Sequence, residues 1–259
     1  MQKQRKILVT ALILLLAWSA AAQAEVYVEG LLGGSAASNL GGSSFHQQDL
    51  PTPPPPPTLP DSFLKFNNSG AVAPALVVGG RVGTWFVPTG ALGRQYPDWM
   101  KYFGFYTDLS TDSGAFNGTF PGNFYIHGYA ITWAFMFAGR YGFLPDDKVP
   151  FGRLQPWVAV GPAILFSGMS PHATVYGGSS AGASTNPGWQ SAVTPALVVD
   201  AGVRYMIFKN LSVDLSFRYR YAQPSYDFRF TDIRGGSWRL HLAPTLNLFS
   251  GMAGVAYHF

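Results

Sequence analysis

The stretch LSVDLSFRYRY (211–221) alternates strictly between two kinds of side chain. Its odd positions are apolar or aromatic, whereas its even positions are Ser, Asp or Arg. A period of two predicts a β-strand that separates an apolar face from a charged one. The pattern suits a soluble sheet with its apolar face on a core, and equally a membrane barrel with that face on lipid. The rest of the chain has to distinguish these two arrangements.

Similar alternation recurs in eight segments separated by turn-rich stretches. An even number of strands is typical of outer-membrane barrels, and most of these segments approach the roughly 9–11 residues of a tilted spanning strand. Pro162 lies inside the fifth segment and cannot donate a ladder hydrogen bond, so a bulge or a shorter strand is expected there. The predicted segments are 26–34, 75–86, 102–109, 125–143, 157–166, 197–208, 211–221 and 246–259.

Residues 1–24 are predicted to be a cleaved secretory signal peptide. MQKQRK (1–6) is positively charged, and the apolar run 7–18 is shorter than the roughly 20 residues that span a bilayer as a helix. Ala22-Gln23-Ala24 supplies a small-x-small cleavage site before Glu25. An uncleaved anchor is the less favoured alternative. The remaining residues, 25–259, are predicted to form one barrel domain.

Composition favours the membrane arrangement. Charged residues make up 12% of the chain, against about 25% in typical soluble domains, and aromatic residues make up 15%. No later stretch has the length and apolarity of a membrane-spanning helix. Three positive charges of the formal +4 lie in the signal peptide, so the charge predicts no nucleic-acid partner. The absence of Cys excludes a disulfide scaffold.

The charges within the alternating segments indicate which face of each strand meets lipid. Arg at the lipid midplane would cost roughly 2–4 kcal/mol per residue, whereas inside a narrow barrel Arg and carboxylates can pair. We therefore predict an all-β, eight-stranded antiparallel transmembrane β-barrel with a polar, plugged interior. A secreted soluble barrel with an aromatic interior is the alternative. The predicted lumen charge network is Glu29, Arg81, Asp108, Arg140, Asp200, Arg204, Asp214, Arg218 and Arg220.

Two long regions are predicted to be loops. Residues 36–74 contain the polyproline run PTPPPPPTLP (51–60), and residues 168–193 are rich in Gly and Ser. If the N-terminus is periplasmic, both lie outside the cell, and the two-residue turn Lys209-Asn210 lies inside. The polyproline run suits either a stiff ligand for an extracellular partner or a solvated loop filler.

No cofactor, metal site or catalytic residue is predicted. Gly178-Ser179-Ser180-Ala181-Gly182 matches G-x-S-x-G, but a nucleophile elbow requires a strand before it and a helix after it. The five His residues show no metal-ligand spacing. His127 lies near the predicted outer rim, where a lipid-acting enzyme would need a Ser beside it, and Gly128 and Tyr129 follow it instead.

The chain ends GVAYHF (254–259), with Tyr257 and Phe259 on one alternating face. This ending resembles the assembly signal of Gram-negative outer-membrane barrels. The segments 211–221, 26–34 and GGRVG (79–83) are similar to strands of the OmpA-type and opacity-type small outer-membrane barrel family, with its porin-like barrel domain. The resemblance implies an outer membrane with the N-terminus periplasmic and the long loops extracellular. It also implies contact with membrane lipid and the barrel assembly machinery.

The function predicted from the sequence is that of an integral outer-membrane protein with a structural or surface-interaction role, and not an enzyme. An extracellular ligand could bind through the loops 36–74 and 168–193. One alternative is a passage for small solutes or hydrophobic compounds, and another is a lipid-acting outer-membrane enzyme.

Overall fold

The computed structural model describes residues 25–46, 71–72, 74–87, 96–115, 117–120, 124–175, 183–185, 188–231 and 237–259. The predicted signal peptide, the polyproline run and the G-x-S-x-G match lie outside the described residues.

Eight long strands and four short ones make up almost all of the described chain. The long strands are β1 (Glu25–His46), β3 (Ala75–Trp85), β4 (Phe103–Ser113), β6 (Phe124–Arg140), β7 (Leu154–Val175), β9 (Gln190–Phe208), β10 (Leu211–Ala222) and β12 (Ser237–His258). The short strands are β2 (Ala71–Val72), β5 (Gly118–Phe120), β8 (Ala183–Thr185) and β11 (Tyr226–Thr231). One short 3₁₀ helix, Asp98–Tyr102, precedes β4. No helix among the described residues is long and apolar enough to cross a membrane.

The long strands close into a barrel. Each pairs antiparallel with its neighbours in the order β1-β3-β4-β6-β7-β9-β10-β12, and β12 pairs back with β1. We call the end that carries Glu25 and Phe259 the terminal end and the opposite end the far end. The predicted eight-stranded antiparallel barrel is confirmed by this closed strand order.

Alternation along the strands gives the barrel a polar inner face and an apolar outer face. On β10, Leu215 is 69% exposed on the outside, whereas Arg218 is fully buried inside. Trp133 and Phe137 of β6 also lie on the exposed outer face. The soluble-barrel alternative required these rings inside, and it is therefore wrong. The apolar belt suits a hydrocarbon environment, since the closed barrel leaves no strand edge unpaired.

Several strands are longer than predicted. β1 continues to His46, β7 to Val175, and β9 begins at Gln190, so parts of the predicted loops 36–74 and 168–193 are strand. β4 also continues past Leu109 to Ser113. The sequence signal fades there because Ser, Gly, Thr and Asp dominate both faces, and the strands are maintained by pairing with their neighbours.

Pro162 lies within an uninterrupted β7, so the expected bulge or shorter strand is wrong. The β6–β7 register is the same on both sides of it, from Ala134↔Ala163 to Phe137↔Val160, and Pro162 still aligns with Leu197 of β9. Only the ladder to β6 lacks pairs at 161 and 162. Gly161 lets the backbones approach closely here, since a Cβ would lie 1.9 Å from the Phe135 carbonyl oxygen. The proline is accommodated by the loss of local pairs, without a change of register.

Candidate functional site in the barrel lumen

Strand register brings opposite charges face to face inside the barrel. Arg81 of β3 lies directly opposite Glu29 of β1 on one side and Asp108 of β4 on the other. On the opposite wall, Asp214 and Arg218 of β10 lie opposite Arg204 and Asp200 of β9 respectively. Cross-strand pairs of opposite charge stabilise a sheet. Neighbouring strands on each wall therefore pair opposite charges, in addition to the contacts that cross the lumen.

Arg218 is at the centre of the network and joins opposite walls. Its guanidinium donates to both oxygens of Asp108 at 2.7 and 2.9 Å, and to both oxygens of Asp200 at 2.8 Å. It also donates to Ser110 Oγ at 3.0 Å. β4 and β10 are diametrically opposite in the strand order, so these bonds span the lumen. Two bidentate pairs satisfy the geometry of a guanidinium better than any single partner does.

Arg81 and Arg204 share one carboxylate. Glu29 Oε2 accepts from Arg81 at 3.2 Å and from Arg204 at 2.7 Å. Arg81 also donates to Asp200 at 3.3 Å, and Arg204 lies 3.4 Å from Asp214. These contacts tie β1, β3, β9 and β10 together through the lumen.

Aromatic side chains complete the environment of these charges. The guanidinium of Arg81 lies 4.3 Å from the ring centre of Tyr106, and that of Arg204 lies 4.4 Å from the ring centre of Tyr27. The Tyr106 hydroxyl donates to Asp200 at 2.7 Å, and the Trp157 indole N–H donates to Asp214 at 2.8 Å. The rings exclude water and attract the cations with their faces.

Arg220 has a partner that the sequence interpretation missed. Its guanidinium donates to Asp112 Oδ1 at 2.6 Å, Thr132 Oγ1 at 2.7 Å and Ser250 Oγ at 3.0 Å. Asp112 was missed because the third segment was ended at residue 109. Continuing the alternation from Asp108 would have placed it inside. With it, the lumen holds five Arg and five Asp or Glu side chains, each at most 5% exposed.

Arg140 closes the lumen at the terminal end. It donates to Glu25 Oε1 at 2.8 Å and to Gln155 Oε1 at 3.1 Å, and its guanidinium lies 4.2 Å from the ring centres of both Trp85 and Phe151. Glu25 and Gln155 were not among the predicted network residues, because both lie just outside the predicted segments 26–34 and 157–166. All nine predicted charges thus lie buried in one lumen, together with Asp112. Glu25 adds a partly exposed carboxylate at the terminal end.

Toward the far end the polar lumen also holds an apolar layer, beside Asp112, Arg220 and Ser167. A buried cluster forms this layer with side chains from β6, β7, β10, β11 and β12, among them Ile126, Leu165, Met169, Phe228 and Leu246. Tyr226 adds a hydroxyl that donates to Ser167 at 2.6 Å. The apolar cluster was not predicted, because alternation shows only which residues share a face. Where a strand has apolar residues at both alternating positions, the pattern does not identify the face that points into the lumen.

The turn between β6 and β7 is fixed by one carboxylate. Asp146 accepts from the backbone N–H of Val149 at 2.7 Å and of Lys148 at 3.0 Å, and pairs with Arg153. The hydrogen bond from the Arg153 guanidinium, followed by that from the Val149 N–H, lowers the pKa of Asp146. Arg153 also donates to the carbonyls of Met206 and Ile207, which fastens this turn to the end of β9.

Two Ser–His arrangements come from strand register. His127 of β6 lies opposite Ser170 of β7, a neighbour that sequence proximity could not reveal. At the terminal end, the Ser212 hydroxyl and His258 Nε2 are 2.8 Å apart, and His258 Nδ1 lies 3.4 Å from Glu25. Both serines are buried, Ser170 at 1% and Ser212 at 0% exposure, so neither hydroxyl is open to a substrate. Among the described residues, no group of three or more His, Cys, Asp or Glu could hold a metal.

Tyr257 and Phe259 lie at the seam where β12 meets β1. Both side chains are exposed on the outer face, with ring centres 5.0 Å apart. The Phe259 backbone N–H donates to the Val26 carbonyl at 2.9 Å. The two residues therefore present an aromatic pair on the outside of the barrel at its terminal end.

Fold and lumen together define the class, which is a small eight-stranded membrane β-barrel with a filled interior. No protein-family model matches the chain, and no curated protein sequence matches it. Solved structures similar to it include proteins of bacterial surfaces and outer membranes. The eight-stranded fold rests on this chain's own closed strand order.

Three of these structures illustrate the likeness. Neisserial surface protein A (NspA) is 13% identical with a TM-score of 0.42, and the match covers 90% of this chain and 97% of that one. A major outer membrane protein from Thermus thermophilus is 13% identical with a TM-score of 0.45, covering 92% and 100%. The outer membrane protein OprG from Pseudomonas aeruginosa is 10% identical with a TM-score of 0.46, covering 92% and 97%.

Proposed function

We propose that the chain is an integral outer-membrane protein of a Gram-negative bacterium with a structural or surface-interaction role, without an open pore or a catalytic site. The observation that carries this proposal is the lumen network, in which Arg218 joins opposite walls through Asp108 and Asp200. A barrel of eight strands has room inside for side chains and little else. Ten buried charged groups and an apolar cluster occupy that room.

Conductance tests this proposal against the passage alternative. The refolded protein in a planar lipid bilayer should give no stepwise current, because buried charged and apolar side chains occupy the lumen of the described barrel. Arg218→Ala, which removes the central cross-lumen contact, is the matched comparison and should be the variant in which current first appears. Stable open-channel currents from the unmodified protein would replace the structural role with a passage role.

We place the terminal end in the periplasm and the far end outside the cell. The two-residue turn between β9 and β10 lies at the terminal end, whereas β1 and β7, which precede the longest connections, end at the far end. Outer-membrane barrels have short periplasmic turns and longer external loops. Protease added to intact cells should cut within 36–74. Cleavage only after the envelope is broken would reverse the orientation.

The far end is the proposed interaction region. β1 and β12 remain paired from Ala36↔Phe249 to His46↔Arg239, beyond the last lipid-facing aromatic of β12, so the barrel wall extends past the apolar belt. An extracellular ligand would meet this wall and the loops 36–74 and 168–193. Binding of the refolded barrel to host-cell or envelope extracts should be lost when residues 47–70 are deleted, while the boiling-dependent gel migration of the barrel is kept. Equal binding by both forms would remove the loop from the proposal.

The lipid-acting enzyme is the less favoured function. His127 and Ser170 lie opposite each other at the far rim, but Ser170 is buried. Phospholipid vesicles incubated with the refolded protein should show no hydrolysis, and His127→Ala should change nothing. Turnover that is abolished in His127→Ala would establish the enzymatic function.

A further inference from the structure

The apolar belt is uneven around the barrel. Opposite the seam, β6 and β7 present bulky outward side chains such as Trp133, Phe137 and Val160. Across the seam, three rows of outward positions run over β10, β12, β1 and β3, and they are rich in Gly and Ala. From the terminal end the rows are Val213, Val255, Gly30 and Gly80, then Leu215, Ala253, Leu32 and Val78, then Phe217, Gly251, Gly34 and Leu76.

The outward glycines are not explained by packing within the protein. A Cβ at Gly30 or at Gly251 would meet no atom within 4 Å. The inward glycines differ, because a Cβ at Gly33 would lie 2.1 Å from the Gly251 carbonyl oxygen. Glycine within a strand weakens the sheet and often marks a place where a ligand or another backbone comes close. The open glycines of the seam therefore point to something outside the chain.

The middle and first rows form a groove on the outer wall. The small residues Gly30, Ala253 and Gly254 form its floor. The larger side chains that line it are those of Leu32, Val78, Val213, Leu215 and Val255. Leu32 and Leu215 are well exposed and stand above the floor.

We propose that this seam groove binds one acyl chain of a membrane phospholipid. The groove is continuous with the lipid-facing belt, and the side chains that form its walls and floor are apolar, so the ligand it suits is a hydrocarbon chain. A linear chain can lie along the floor between these larger side chains. Burial of methylene groups against Gly30 and Ala253 holds that chain more strongly than the bulky opposite wall holds its neighbouring lipids.

A second copy of the barrel fits the groove poorly. A stable protein interface buries roughly 1,200 Å² or more. Two convex barrel walls touch along a narrow line, and Leu32 and Leu215 would hold a second wall away from the floor. The contact available to a second barrel is therefore smaller than a stable dimer needs, whereas a single chain can use the whole floor.

Filling the groove tests the proposal. Gly30→Leu and Ala253→Leu add side chains where space is open, and Ala201→Leu on the outward face of β9, outside the groove, is the matched control. Each protein, checked for boiling-dependent migration, is titrated in detergent with dipalmitoyl phosphatidylethanolamine, and bound lipid is counted by native mass spectrometry. The unmodified protein and Ala201→Leu should each hold one lipid. Expelling about two methylene groups should weaken retention about tenfold in the groove variants.

A second measurement avoids bulky changes. The chain has no Cys, so Ala253→Cys and Ala201→Cys each introduce a single thiol of nearly the original size. The same phospholipid should protect the thiol at position 253, and not the one at 201, from a small apolar maleimide. Equal protection at both positions, equal lipid retention by all variants, or a dimer of the unmodified protein that Gly30→Leu dissociates would each overturn the proposal.

Discussion

Single residues in the lumen carry more of the stability than single residues on the belt. Arg218 makes its contacts in full burial, so its removal leaves Asp108 and Asp200 with Arg81 as their shared cation, at 3.6 and 3.3 Å. Phe217 on the same strand faces outward with half its surface exposed. Breaking a buried ion pair by removing one partner costs about 3–5 kcal/mol.

We predict that the free energy of unfolding falls in the order Arg218→Leu most, Asp214→Leu next, and Phe217→Leu least. Asp214 ranks below Arg218 because its contact with Arg204 is longer, at 3.4 Å, and its other bond is the single one from Trp157. Urea titrations of the barrels refolded in lipid give the three values. A larger loss in Phe217→Leu than in either lumen variant would mean that the two faces have been assigned the wrong way round.

The turn at Asp146 should loosen in acid. Its pKa is lowered in the folded protein by Arg153 and the Val149 N–H, so the contribution of these bonds is complete above the ordinary Asp pKa of about 3.9 and is lost as the pH falls through the lowered value. The exchange protection of the Val149 amide should therefore drop below about pH 4. In Asp146→Asn the protection should be lower throughout and nearly independent of pH, and an unchanged profile in that variant would contradict the assignment.

Strands show which parts of the fold the sequence can predict. Within the belt, lipid on one side and charges on the other keep the alternation of β10 strict, and its predicted limits 211–221 differ from Leu211–Ala222 by one residue. Outside the belt the sequence no longer alternates: in β1, SAASNLGGSS (35–44) has small or polar residues at nearly all positions. The strands nevertheless continue, and the predicted ends are as much as twelve residues short.

For the lumen, the sequence predicts which residues point inward, but it does not predict their partners on other strands. The alternation of faces along β10 is enough to place Asp214 and Arg218 inside, because both lie at even positions and the apolar residues lie at odd ones. Partners across the lumen, such as Asp108 for Arg218, depend on register and on barrel closure, which a single segment does not encode. Ser170 beside His127 is a second example, since 43 positions separate residues that the β6–β7 register makes neighbours.

The last strand should matter more for assembly than for stability. Deleting Phe259 removes one exposed ring and the hydrogen bond from its N–H to Val26, and leaves the rest of the seam pairing intact. We predict normal boiling-dependent migration after refolding in detergent. In cells we predict a marked loss of surface protease cleavage within 36–74, because the chain ending resembles the signal of the assembly machinery. Normal surface levels of the truncated chain would remove that role from Phe259.

At the scale of the whole molecule, the barrel consists of three concentric parts. An apolar belt faces outward, a closed ladder of eight long strands forms the wall, and ion pairs together with an apolar cluster toward the far end occupy the lumen. The three parts are physically linked. Lipid favours the apolar outer face, closure of the barrel removes the strand edges, and the narrow lumen brings the charges into contact.

The central claim is that the apolar face of each strand meets lipid while the charged face meets the lumen. Spin labels at single cysteines introduced along β10 test it most directly, at Val213, Leu215 and Phe217 for the outer face and at Ser212 and Ser216 for the inner face, in a chain with no other Cys. In lipid vesicles, labels at the odd positions should be accessible to oxygen, which concentrates in hydrocarbon, and labels at the even positions should be shielded and immobile. Oxygen accessibility at the even positions, or the same accessibility at all five, would contradict the account.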